Sequence, residues 1–296
     1  MSEKAPGAAR DLLELTKPRV VQLVTVTTAL GFAIGNRGSF SLPVFAAAVA
    51  GASLVCAGVG AINQAMEVES DSLMTRTQRR PLPTGRLSRS WATAFGLALI
   101  LGGAALNAWG VGALMAIGAL VTALLYLLVY TPLKTRTWLS TAVGAIPGAL
   151  PPLGGFMAAS GGLGWQGWVL FGLLFFWQFP HFYAIAWIHR EDYRRGGHLI
   201  LPVVEDRGDR TAVHVIAFTA LWVVASFIPL RWTGGMPSIS LIISWILLAP
   251  AAVFFMGRSL AFAKQRDIPS ARRLLRASVL ALPLVLGIKC LELLGR

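Results

Sequence analysis

Charge is scarce in this 296-residue chain: Asp, Glu, Lys and Arg together make up 13% of it, against about 25% in soluble domains. With 55% hydrophobic residues and mean hydropathy +0.66, the chain has too little polar surface to cover a water-soluble fold, which excludes a soluble globular protein. Cysteine is scarcer still. Cys56 and Cys290 both lie inside apolar runs, so no disulfide framework and no metal-type spacing follows from them. The N-terminal stretch MSEKAPGAARDLLELTKPRV is mixed in charge and has no contiguous apolar segment, so no cleavable signal is expected. Acidic residues number only 13 against 26 Lys and Arg, giving +13 overall. The placement of that excess argues for membrane topology and against a nucleic-acid partner.

Apolar runs of about 20 residues, by contrast, recur along the whole length. The expected fold class is all-α: a polytopic integral membrane protein, one domain over 1–296 with residues 1–18 as an N-terminal tail. Nine spans are expected, at 20–36, 42–66, 91–109, 111–130, 138–159, 165–188, 212–230, 238–256 and 275–294. A tight turn is expected around 107–112. On that map 22 of the 26 cations fall on one side, in the tail and in the alternate connectors. They include Arg258, Lys264, Arg266, Arg272, Arg273 and Arg276, all assigned to a last loop. Arg37, Arg231, Lys289 and Arg296 fall on the other side. The positive-inside rule then puts the N-terminus and the basic loops in the cytoplasm and the C-terminus outside.

Topology explains basic loops but not acids gathered among them. In NQAMEVESDSLMTRTQRRPLP, residues 63–83, Asn63, Glu67 and Asp71 are each four apart. Helical positions four apart drift by only about 40° per step, so these three form one stripe, with Glu69 on the opposite side. One amide and two carboxylates are hard oxygen donors suited to Mg²⁺ shared with a phosphate group. Arg76, Arg79 and Arg80 follow directly, with bidentate geometry for phosphate oxygens. The plainer reading is that the acids only pair with these arginines at the interface. A second cluster, HREDYRRGGHLILPVVEDRGDR at 189–210, follows the sixth span much as the first follows the second, in the manner of a faint internal repeat. Two facing acidic helix ends suit a diphosphate bridged through metal ions, and the apolar bundle suits a prenyl tail and a flat acceptor.

With these motifs in view, the chain resembles the UbiA superfamily of intramembrane prenyltransferases, whose hallmark is N-x-x-x-D-x-x-x-D after the second helix. The segments LTKPRV, RTQRRPLPTGRLS, YTPLKTRTWLSTAVGAIPGALPPLGGF and WQFPHFYAIAWIHREDYRRGGHLILPVV extend the likeness over nearly the whole chain and point to the haem-farnesylating branch. The resemblance implies a bundle with a central cavity open to the cytoplasmic side and Mg²⁺ as cofactor. It implies farnesyl diphosphate and haem b as substrates, the farnesyl carbon being attacked by a haem vinyl group and water completing the side chain. It places Asn63, Glu67 and Asp71 at the first metal and diphosphate site. Arg76, Arg80 and Lys134 become diphosphate partners, Asp192 the second acidic and metal site with Glu191 as the weaker candidate, and Tyr193 a further substrate contact. A plasma (inner) membrane location, a downstream haem A synthase or self-association as partners, and an active site facing the cytoplasm belong to the same expectation. Two departures stand out. Glu67 occupies a position where the hallmark has Asp, and four residues after Asp192 comes Gly196, leaving open whether Asp192 works alone or with Asp206 or Asp209. The competing functions are prenyl transfer to an aromatic or quinone precursor, and a transporter whose intramembrane acids carry protons or cations.

Among the remaining polar residues, His181 in WQFPHFY either bonds a carbonyl freed by Pro180 or contacts the haem iron or a propionate. His198 and His214 read as loop or surface residues. Trp177, Phe179 and Phe182 are either packing or the wall of a porphyrin or prenyl slot. Pro147, Pro151 and Pro152 predict a kinked or partly unwound fifth span shaping a cavity wall, and Gly144, Gly148, Gly154 and Gly155 allow close helix approach there. Lys17 and Arg19 are membrane anchors, with haem propionates as the alternative contact.

Overall fold

The computed structural model describes residues 7–36, 38, 40–230 and 237–292; Lys4, Arg37, Arg231 and Arg296 of the charge map lie outside them. The described residues form helices joined by turns and loops, with no strand among them, and nine of the helices are long and apolar enough to span a bilayer. These are α2 (Pro18–Gly35), α3 (Leu42–Met66), α5 (Arg89–Gly110), the continuous span Ala113–Leu133, α8 (Ser140–Ser160), α9 (Trp165–Ile188), α12 (Asp209–Phe227), α13 (Ile239–Gln265) and α14 (Ile268–Leu291). The second and sixth spans have the expected bounds. The last two are longer than expected, because Arg258 and Lys264 continue α13 and Arg272, Arg273 and Arg276 lie on α14. The expected basic loop shrinks to Arg266 and Asp267, where Arg266 takes a left-handed φ of 50° and Asp267 caps α14 through Ser270.

Short elements decorate one end of the bundle: α1 (Ala8–Leu15), α4 (Val68–Leu73), α10 (Arg190–Arg195) and α11 (Leu201–Val204). Helix α1 lies in the stretch expected as a tail. It docks on α3, where Gln64 Nε2 donates to the carbonyls of Glu14 and Leu15, and Asp11 pairs with Arg86 at 3.1 Å. The contacts of α10 with α4 put both acidic helix ends on this face.

Packing follows from side-chain size. Helix α9 is the most buried span, with Leu170, Leu173, Leu174, Trp177 and Phe179 in a core shared with α8, α12, α13 and α14. Helices α2 and α8 meet backbone to backbone: a methyl added at Gly31 would collide with the Pro152 carbonyl, and one at Gly155 with the Thr28 carbonyl. Helix α8 stays helical through Pro147, Pro151 and Pro152, so the partial unwinding expected there does not occur. The irregular turn lies elsewhere. The span Ala113–Leu133 begins as α6 (Ala113–Leu124), widens to a π-helix over Leu125–Tyr130, and finishes as α7 (Thr131–Leu133). Such π segments concentrate at functional sites. Large apolar residues such as Leu128, Ile239 and Val253 stand outward, as a lipid-facing surface requires.

Lys289, assigned to the outer face of the charge map, is fully buried. Its Nζ meets Glu292 Oε1 at 2.8 Å and the Ile228 carbonyl at 2.7 Å, and Glu292 in turn accepts from the Leu230 N–H. It is a structural clasp between the ends of α12 and α14.

Candidate functional site

The two acidic helix ends share a build. Helix α3 stops at Met66, Glu67 takes φ −103° and ψ 14°, and six-residue α4 follows. Helix α9 stops at Ile188, His189 takes φ −111° and ψ 29°, and six-residue α10 follows. Both break residues sit near the sparsely populated bridge region, where active-site residues are common. The expected stripe is therefore interrupted at Glu67. It nonetheless keeps its face, because the Glu67 N–H donates to the Asn63 carbonyl at 3.1 Å and the Asp71 N–H to the Glu67 carbonyl at 2.8 Å.

Each member of the stripe meets a cation from a different element. Asn63, fully buried, accepts from Lys17 Nζ through Oδ1 and donates from Nδ2 to Thr131 Oγ1 at 3.0 Å. Glu67 pairs with Lys134 at 2.7 Å, and Asp71, 1% exposed, pairs with Arg80 at 2.7 Å. The π turn explains part of this meeting: Thr131 Oγ1 donates to the Tyr126 carbonyl at 2.9 Å, and Lys134 follows three residues later, its Nζ 4.7 Å from the Tyr130 ring centroid. Lys17 is more than a membrane anchor. It precedes Pro18 in a left-handed conformation, φ 52°, which is costly for a side chain other than glycine and aims the ammonium at Asn63. The only signal for it in the sequence was the Lys-Pro step that opens the first span.

Electrostatics tie the cluster together. Burial would raise the Glu67 carboxyl, but the nearby Lys134 and Lys17 charges hold it below its ordinary value. Burial brings Lys17 down to about 8, with Glu67 opposing and Lys134 and Arg80 assisting. Lys134 is held above its ordinary range: burial lowers it, while Tyr130 and Glu67 more than offset that.

Asp192 reaches the same region differently. Its carboxylate accepts the Thr75 and Arg76 backbone N–H groups at 3.1 Å each and bonds Arg195, thereby pinning the loop that carries Arg76. Those N–H donors hold its carboxyl below the ordinary value despite burial. Arg76 in turn donates to Tyr193 Oη at 3.3 Å and lies 5.5 Å from that ring centroid. Glu191 is not brought in: it pairs outward with Arg194 at 2.8 Å, as Glu69 does with Arg89. Asp206 and Asp209 also stay apart, the first giving its carbonyl to Arg190 and the second pairing with Arg266. His181 stands about two turns from the end of α9, its Nδ1 2.8 Å from Ser278 Oγ and its ring stacked 4.4 Å from Trp177; no freed carbonyl is its partner. Phe179 stacks on Phe218 in the core, and Phe182 faces outward. His214 is half-buried on α12, near Tyr183, and is not a loop residue. His198 is in a loop but 4% exposed, so it is not a surface residue.

Among the described residues, no three His, Cys, Asp or Glu side chains stand together as a ready metal cage. The donor chemistry nevertheless fits Mg²⁺. Asn63, Glu67 and Asp71 bring one amide and two carboxylate groups to one face, and phosphate oxygens usually complete such a shell. Beside Lys17 a mostly apolar cavity of about 420 Å³ runs between α2, α3, α6 and α8, past Val59, Cys56 and Tyr126 to Met157, Leu163 and Trp168. Val20, Leu114, Ile117 and Val121 line it and are also exposed, so it opens sideways between α2 and α6 onto the lipid-facing surface.

Comparison with known proteins gives three findings. The profile of the UbiA prenyltransferase family matches residues 24–281. A protoheme IX farnesyltransferase of Solibacter usitatus is 41% identical over 293 residues, covering 96% of this chain and 98% of the relative. Among solved structures, a digeranylgeranylglyceryl phosphate synthase superposes with TM-score 0.77 at 18% identity, over 95% of this chain and 97% of its own. A UbiA homologue from Archaeoglobus fulgidus, bound to DMAPP and Mg²⁺, superposes with TM-score 0.64 at 17% identity, over 94% and 98%. These two likenesses concern the fold.

Proposed function

This chain belongs to the UbiA prenyltransferase family, and from that premise we propose that it transfers the farnesyl group of farnesyl diphosphate to a vinyl group of haem b, giving haem O. The whole chain acts as one domain in this reading. The observation that carries it is the joining of three oxygen ligands, each on its own cation, to an apolar cavity that starts at Lys17.

Lys17, Lys134 and Arg80, exchanging amide and carboxylate partners for phosphate oxygens as the substrate enters, neutralise the diphosphate together with Arg76. Asn63, Glu67 and Asp71 would hold Mg²⁺, as the metal seen with a prenyl diphosphate in the archaeal homologue supports for the family. Bound there, the metal supplies Lewis-acid stabilisation to the departing diphosphate. Asp192 keeps the Arg76 loop in place through two backbone N–H groups, a positioning role in place of direct ligation. Tyr193 orients the Arg76 guanidinium.

The C–O bond of farnesyl diphosphate breaks with its electron pair leaving on the diphosphate, and the haem vinyl π electrons form the new C–C bond. Water then adds to the cationic carbon beside the porphyrin and loses a proton. The apolar cavity holds the prenyl tail, and its lateral opening admits that tail from the lipid. His181, held by Ser278 in the membrane, is the side chain we assign to haem contact. In this reading the basic, acid-bearing end of the bundle faces the cytoplasm of an inner membrane, while the cavity beside it opens laterally to the lipid.

Membranes containing the protein, given haem b, farnesyl diphosphate and Mg²⁺, should yield a later-eluting, more hydrophobic haem on reversed-phase chromatography. Chelation of divalent ions should stop its formation. Absence of that product with Mg²⁺ present would overturn the reading.

A further inference from the structure

His198 is 4% exposed, and among the described residues neither ring nitrogen has a hydrogen-bond partner. A buried polar group left unsatisfied forfeits its hydration without recompense, so such a residue in a native fold calls for an explanation. The backbone around it is built with care. The His198 N–H donates to the Tyr193 carbonyl at 2.9 Å, and the next N–H, of Leu199, donates to the Lys134 carbonyl at 2.7 Å. Gly196 permits the approach, since a methyl there would press on Met74 and the His198 ring, and Gly197 turns the chain with φ +72°. The imidazole meets the Tyr193 ring edge-to-face at 5.7 Å, and Tyr193 is the residue that receives Arg76. The loop carrying His198 is therefore tied to the Lys134 backbone on one side and to Tyr193, the partner of Arg76, on the other. The charges that act on it are Lys134, Glu67, Asp71 and Arg76, the residues of the cluster itself.

We propose that His198 is a further diphosphate-binding residue, its ring N–H donating to a phosphate oxygen held between Lys134 and Arg76. The proposal rests on the reading that a diphosphate occupies this cluster. Burial and the Lys134 cation hold the imidazole below its ordinary value, with Glu67 opposing, and a neutral imidazole still carries the one donor this role needs. Unlike the four cations, it adds specificity for a bound oxygen at a fixed point without adding charge.

The test uses the full chain in detergent micelles with inorganic pyrophosphate and Mg²⁺ as probe, read by titration calorimetry. His198→Phe keeps the ring volume and the contact with Tyr193 but removes the donor; His198→Gln restores an N–H. Pyrophosphate affinity should fall about tenfold in the Phe variant and stay within about threefold of wild type in the Gln variant, as expected for one hydrogen bond to a charged oxygen. KM for farnesyl diphosphate should rise in step while KM for haem b holds. Wild-type affinity in the Phe variant would overturn the proposal, and so would an equal fall in both variants with a lowered Tm, which would mark a structural role. If neither variant folds, ¹⁵N-histidine spectra of the wild type decide: pyrophosphate should shift the His198 ring nitrogens, and unchanged signals overturn the proposal. A wild type that does not bind pyrophosphate at all sinks the diphosphate reading itself, and this proposal with it.

Discussion

Glu67 and Asp71 differ in what a single substitution should do. Asp71 is buried and meets Arg80 at 2.7 Å. Asp71→Asn keeps its size but replaces a carboxylate with an amide that binds Mg²⁺ weakly, so turnover should fall by roughly 10²-fold or more while membrane insertion is unchanged. Near-normal rates in the product assay would remove Asp71 from the site. Glu67→Asp keeps the charge and shortens the reach to Lys134, so the loss should be less than about tenfold. At this scale the stripe was legible because helical spacing is local, and so was the exclusion of Glu69, which faces outward to Arg89. Lys17 read as an anchor or a haem-propionate contact and His198 as a loop or surface residue, neither as a diphosphate partner. Their roles depend on which distant side chains come near, Asn63 in one case and Lys134 with Tyr193 in the other, and one sequence carries no record of that.

Helix α8 was read as a cavity wall because three prolines and several glycines mark it. The glycines foretold a close helix approach, and the structure supplies the partner: α2 meets α8 at Gly31 and Gly155 with no room for a methyl. Gly155→Leu should therefore push α2 off α8, cost about 1–3 kcal/mol or more, and deform the wall of the cavity that lies between them. Thermal unfolding in detergent would show a lowered Tm together with a raised KM for farnesyl diphosphate. Helix α14 allows a pH test at its own start. The Ser270 hydroxyl and N–H hold the Asp267 carboxyl below its ordinary value of 3.8. The folded-state value is depressed, so the stability this cap contributes is present above 3.8 and is lost as pH falls through the lower folded value. Wild type should melt above Asp267→Ala near neutral pH, and the two should converge in acid; a gap that persists in acid would separate the cap from its charge. The longer α13 and α14 were not foreseen because a charged stretch reads as a loop unless the capping bond at Asp267 is seen.

Nine candidate spans, all crossed, would place the two ends of the described chain on opposite faces, and the orientation we propose, with the basic, acid-bearing face toward the cytoplasm, has a direct test. With Cys56 and Cys290 replaced by Ala, a membrane-impermeant thiol reagent should label Ser160→Cys from outside intact cells and Ser90→Cys only after the membrane is opened; the reverse pattern would invert the protein. The sequence by itself determined that the chain spans a membrane, how many times, and which helix ends carry hard oxygen ligands, because hydrophobic run length and helical spacing are properties of neighbours along the chain. Only the tertiary structure decided which cation meets which ligand, that Asp192 pins a loop while Glu191, Asp206 and Asp209 stay apart, and where an apolar cavity adjoins the cluster. Those are contacts between residues tens of positions apart, and they exist only once close helix packing has fixed the distances between them.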